Sequence, residues 1–183
     1  MSIIVILAIV VVMIGLGVLL YNRLIRLRNK VEEAWAQIDV QLQRRHDLIP
    51  NLVNTVKGYA EHEKSVFEEV TAARAAAVSA QGAAAAGQAE DALGAALGRL
   101  FAVAENYPQL KADANFRQLQ EELSDTEDKV AAARRYYNAV VQRYEGARQT
   151  LPTSLIAGRL GFRGREYYAI EDPADREAVR VRL

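Results

Sequence analysis

The chain has 183 residues, 51% of them hydrophobic, with 23 basic and 23 acidic side chains that leave a formal net charge of zero. That length suits one domain with a modest core plus a further element, and the charge balance gives no bias toward nucleic acid. Cysteine is absent and histidine is limited to His46 and His62, which excludes disulfides, zinc–thiolate sites and cysteine nucleophiles.

Residues 3–21 read IIVILAIVVVMIGLGVLLY, without a charge. As a helix rising 1.5 Å per residue they cover roughly 28 Å, close to the ~30 Å hydrocarbon core of a bilayer. A cleaved signal peptide would need a basic stretch before the run and a small-x-small site after it. No basic side chain precedes this run and bulky residues follow, so residues 1–22 are expected to be a retained anchor. Tyr21 sits where an amphipathic ring is favoured, and Arg23, Arg26, Arg28 and Lys30 follow at once. By the positive-inside rule that flank stays in the cytoplasm and the N-terminus faces out. Gly15 and Gly17 are two apart rather than four, so close pairing through this helix is only weakly suggested.

Leu24, Leu27, Val31, Trp35, Ile38 and Leu42 recur at helical spacing. At residues 44–50, RRHDLIP, the pattern meets Pro50, which has no N–H to offer the carbonyl of His46. The heptad grid of Val31 and Ile38 also gives way here to Leu42, Ile49, Val56 and Val70, displaced by four, as where a helix kinks or restarts. The expectation is a turn, with Asp47 capping the next helix and Pro50 in its first turn; a kink is the alternative. On this view Arg44, Arg45 and His46 are a charged helix end, favoured by the helix dipole. Contact with phosphate or lipid headgroups is the functional alternative.

Leu52, Val56, Tyr59, Val66 and Val70 form a second stripe that fades into alanine at 72–86. Gly82 and Gly87 suggest a loop or frayed end there. A third stripe, Leu93, Leu97, Leu100, Phe101 and Ala104, stops before Pro108. Phe116, Leu123, Val130, Tyr137, Tyr144 and Leu151 then fall seven apart, with Leu119, Ala133, Val140 and Ala147 between them and Thr126 as the polar exception. That heptad predicts a long coiled-coil-like helix, begun by Asp113 or Asn115 as cap and ended by Pro152. The sum is an all-α chain: a transmembrane helix, then an up-and-down four-helix bundle over 23–160. Residues 161–183 break the pattern, and Phe162, Tyr167, Tyr168 and Ile170 are too apolar for a free tail; Pro173 forbids a continuous helix. An extended tail docked through its aromatic residues is expected.

No catalytic set emerges. A carboxylate-bridged dimetal bundle needs Glu three residues before a ligating His, but position 43 is Gln and position 59 is Tyr. HExxH, P-loop and GxSxG motifs are also absent. Tyr136, Tyr137 and Tyr144 could stack on bases, but two of them lie on the apolar heptad line, where core packing accounts for them.

Three stretches carry a family resemblance: AWAQIDVQLQRRHDLIPNLVNTVKGYAEHE (34–63), ENYPQLKADANFRQLQEELSDTEDKVAAARRYYNAVVQRYE (105–145) and GFRGREYY (161–168). In matching order they resemble the LemA family, whose least alignable part here is 72–98. The resemblance implies a bacterial helical bundle on a single N-terminal membrane helix, with a cytoplasmic body and no established catalytic residues. One branch of the family takes part in forming magnetosome membranes, and other members are encoded beside membrane zinc proteases.

The leading expectation is therefore a non-catalytic, membrane-anchored scaffold that self-associates and organises the bilayer, without cofactor, metal or nucleic acid. Its contact candidates are Tyr137, Tyr144, Leu151, Phe162, Tyr167 and Tyr168, because the 116–151 line looks longer than the third stripe can cover. An adaptor or regulator of a membrane protease is the second reading. A hydrolase with an unrecognised site is the third, and a cavity holding several buried charged groups would favour it.

Overall fold

The computed structural model describes residues 2–168, so Ile170, Pro173 and the rest of the expected tail lie outside the described residues. Among the described residues the chain is all-α, and no strand is present. The elements are α1 (Ser2–Lys57), α2 (Lys64–Ser79), α3 (Ala83–Ala104), α4 (Pro108–Ala112), α5 (Ala114–Gln149) and α6 (Ser154–Ala157).

The turn expected at 47–50 does not exist. Helix α1 runs unbroken through Pro50 to Lys57. Proline leaves the His46 carbonyl without its helical donor, and Arg74 of α2 supplies a replacement, its Nε donating to that oxygen at 2.7 Å. The shift of four in the heptad grid is absorbed by one continuous helix, since four residues are only slightly more than a turn. The chain reverses later, at Gly58–Glu63, and again at Ala80–Gly82. Gly82 has φ +87°, a conformation that side-chain-bearing residues rarely adopt. Gly87, by contrast, is buried inside α3.

Helix α3 ends before Pro108, which opens α4. Asp113 caps α5: its Oδ1 accepts the Phe116 N–H at 2.9 Å. Thr126, the polar member of the heptad, is fully buried and donates its hydroxyl to the Glu122 carbonyl at 2.7 Å.

Two units are distinguishable. One comprises residues up to Ala36 with Tyr136–Arg165, the other Gln37–Arg135 with residues from Glu166; α1 and α5 contribute to both. The core of the second unit joins Ile49, Leu52 and Val56 of α1 to Phe67 and Val70, to Leu93, Leu97 and Leu100, and to Leu110, Phe116 and Leu123. Arg99 of α3 closes a surface ion pair with Glu69 of α2.

In the first unit the part of α1 that follows the apolar run lies beside the last turns of α5, which run antiparallel to it. Trp35 packs edge-on against Tyr137 with centroids 5.6 Å apart. Beyond α6 a left-handed Gly161 (φ +76°) lets the Phe162 N–H reach the Ala157 carbonyl at 3.0 Å. This six-to-one closure turns the chain back, and the Phe162 ring meets Tyr21 at 5.7 Å. Residues 162–168 have no regular secondary structure.

Candidate functional site

Residues 3–19 of α1 are exposed apart from half-buried Gly17, and α1 is the one described helix long and apolar enough to cross a membrane. The predicted basic flank follows on the same helix. Arg23, Arg26 and Lys30 are exposed, while Arg28 turns inward, its guanidinium 6.0 Å from the Phe162 ring and 4.0 Å from Glu32. Tyr144 and Glu145 hold the segment that follows Phe162. The Tyr144 hydroxyl donates to the Arg163 carbonyl at 2.7 Å, and the Arg165 N–H donates to Glu145 at 2.8 Å. Burial alone would raise the Glu145 carboxyl, but hydrogen bonds from Arg148, the Arg165 backbone and Gln149 outweigh it and hold the group below its ordinary value.

The residues expected at a helix end occupy different surroundings from those predicted. Arg44, Asp47 and Pro50 are exposed, but Arg45 and His46 are buried mid-helix against Glu90 of α3, itself 5% exposed. Arg45 Nη1 donates to Glu90 Oε2 at 2.9 Å, and His46 Nε2 lies 2.5 Å from Glu90 Oε1. Both carboxylate oxygens are thus engaged. Beside the triad opens a cleft of about 370 Å³, lined by Arg45, Glu90, Asp91, Glu127, Arg134 and Tyr168 among others. Burial, reinforced by the Glu90 carboxylate, holds the Tyr168 hydroxyl well above its ordinary range, and Arg134 lies 5.9 Å from its ring.

Four of the proposed subunit contacts are used inside the subunit. Tyr137, Tyr144, Phe162 and Tyr168 are all buried, so they are unavailable to a second copy; Leu151 and Tyr167 remain exposed. The premise that the heptad line lacks a partner also fails. Measured against the third stripe alone the line looked uncovered, whereas Trp35 of α1 and the 162–165 segment cover Tyr137 and Tyr144.

The LemA family profile matches residues 34–183, both the triad and the returning 162–168 segment included. The chain belongs to the LemA family. Similar proteins include magnetosome protein MamQ 2 of Paramagnetospirillum magneticum, 26% identical over 95% of this chain and 74% of its own length. Magnetosome protein MamQ of Magnetospirillum gryphiswaldense is 28% identical over 84% and 66%, respectively. Protein LemA of Metamycoplasma hominis is 26% identical over 76% and 64%. None of these relatives is named for an enzymatic activity.

The cleft of this LemA-family chain is lined by charged groups of both signs, two of them, Arg45 and Glu90, buried. Its described lining holds no Ser, Thr, Cys or His, and its one hydroxyl, Tyr168, is kept protonated. Both Glu90 carboxylate oxygens are occupied, one by Arg45 and one by His46. No group of three or more His, Asp or Glu gathers among the described residues, and His62 is exposed. What the triad does is fasten α1 to α3. Sequence reasoning missed Glu90, although a carboxylate three residues before Leu93 and seven before Leu97 stands on the apolar stripe and so needs a buried partner.

Proposed function

We propose that this chain is a non-catalytic, membrane-anchored helical scaffold that self-associates and organises the bilayer around it. The observation that carries the reading is the unbroken α1. Its exposed apolar span continues, with no linker, into the basic flank and on to Trp35, which packs against α5. The body is cytoplasmic and the N-terminus external on the positive-inside rule. The relatives named as magnetosome proteins support a membrane setting. Anchors confined to one bilayer meet at raised effective concentration, so weak lateral contacts suffice. Those contacts fall to the span and to exposed side chains, not to the covered heptad line, and closed rotational symmetry is favoured over a filament. Mass photometry of full-length protein in nanodiscs and mild detergents tests this. A defined oligomer is expected. A monomer throughout the micromolar range refutes the scaffold and favours an adaptor of a membrane protease.

A further inference from the structure

The first unit contains a second cleft, of about 500 Å³, between the start of the cytoplasmic part of α1 and the end of α5. Arg23, Arg26 and Lys30 line one wall; Arg143, Gly146 and Thr150 line the other. Four cations converge there, and no carboxylate lines the space among the described residues. The spacing is what one helix face requires, since residues three and four apart lie above one another. On the α5 wall Gly146 leaves the floor open: a Cβ built there meets nothing within 4 Å.

Depth decides what such a cleft would face. Because α1 is continuous, Arg23 and Arg26 lie about 3 and 7.5 Å beyond Tyr21 along its axis, and Lys30 about 13 Å beyond. The headgroup layer on each side of the hydrocarbon is roughly 5–8 Å thick. Two of the four cations therefore sit at headgroup depth, and the long side chain of Lys30 reaches back toward it. The adjoining chain has the matching apolar character. Residues 151–161 leave the cleft after Thr150 and return at Phe162, which rests on Tyr21 at the end of the span. Along that segment Leu151, Leu155 and Leu160 are 73%, 66% and 48% exposed. Cations over a cavity beside exposed leucines, all at the end of an apolar span, match a phospholipid with an anionic headgroup.

We infer that the cleft between α1 and α5 is a binding site for one anionic phospholipid, its phosphate held by Arg23, Arg26, Lys30 and Arg143, with Leu151, Leu155 and Leu160 at the acyl boundary. The inference rests on residues 3–21 spanning the membrane, and deepens the scaffold reading by naming a lipid the scaffold would select.

Native mass spectrometry of the full-length protein tests it, with micelles carrying equal phosphatidylglycerol and phosphatidylcholine. One phosphatidylglycerol should be retained in preference to phosphatidylcholine. Each cation removed by Arg26→Gln or Arg143→Gln should lower that preference about fivefold. Gly146→Leu, which fills the floor without altering charge, should abolish it, whereas Arg117→Gln, on the exposed surface of the other unit, should leave it intact. Equal retention of both lipids, or retention unaffected by Gly146→Leu, overturns the site. Loss of the lipid on adding millimolar inorganic phosphate would also overturn it, by showing that a free anion is the ligand. Carbonate extraction of the same cells separates the two readings. Protein released from membranes refutes the span itself, while retained protein without lipid preference refutes only the site.

Discussion

Replacing Glu90 by glutamine should be among the most damaging single changes in the protein. Glu90 is 5% exposed and both its oxygens are engaged, by Arg45 at 2.9 Å and His46 at 2.5 Å. Glutamine fills the same space but removes the charge that balances the buried guanidinium. Losing one partner of a buried ion pair costs about 3–5 kcal/mol. The lower end applies here, because Asp91 and Glu127 line the cleft beside Arg45 and offset part of the orphaned charge. For a chain of this size about 3 kcal/mol corresponds to a fall in Tm of roughly 6–12 °C. Thermal unfolding of the full-length protein in detergent, followed by circular dichroism at 222 nm, reads this directly. The triple change Arg45→Met, His46→Leu, Glu90→Leu should recover most of the loss, since apolar side chains of similar volume often replace a buried ionic cluster at little cost. If Glu90→Gln melts within about 2 °C of the parent protein, the triad contributes little and the account of how α1 is fastened to α3 is wrong.

Arg74→Leu should destabilise by about 1–3 kcal/mol by stranding the His46 carbonyl; Pro50→Ala, which restores a backbone N–H to that oxygen, should suppress most of the defect, and strictly additive effects in the double variant would count against the assigned bond. The Glu145 carboxyl is held below its ordinary value, so its contribution is complete above the unfolded value of about 4.3 and is lost as pH falls through the lower folded value. Glu145→Gln should therefore lower Tm at pH 7 and flatten its acid limb, and a variant whose Tm runs parallel to that of the parent through the acid range would refute the assignment. For topology, an impermeant thiol reagent on intact cells should label the Ser2→Cys variant and spare Ser154→Cys; labelling only at 154 would invert the orientation.

Much of the fold was legible because local rules and tertiary outcome agree. Leu24, Val31, Ile38 and Leu42 are all buried, as their spacing predicted, and so are Leu93, Leu97 and Leu100. Asp113 caps α5, and Pro108 follows the end of α3. The failure at Pro50 has a definite cause. A proline inside a helix costs about 3 kcal/mol locally, but the compensating donor, Arg74, lies 28 residues beyond His46 and no local pattern announces it. The site was missed for the same reason. Arg45 and His46 looked like a solvated helix end because their partner Glu90 lies 45 and 44 residues on, at the start of the third stripe, where no local spacing links it to them. Tyr137 and Tyr144 are covered by Trp35 and by the 162–165 segment, partners from distant parts of the chain that the heptad spacing does not reveal.

The missing linker between the span and the basic flank has one more consequence. A chain with a flexible joint can answer a change in bilayer thickness by letting its anchor slide or lean independently. Here the roughly 28 Å span is fixed end to end to Arg23, Arg26 and the Tyr21–Phe162 contact. If residues 3–21 span a bilayer as proposed, leaning would shorten their reach further, so in any bilayer whose hydrocarbon is thicker than the span the mismatch would fall on the lipids, which would thin around the helix. Each copy would then be a small dimple in a thick membrane and an undistorted post in a thin one. On the membrane-anchored scaffold proposed above, that difference would favour association of copies where the bilayer is thick.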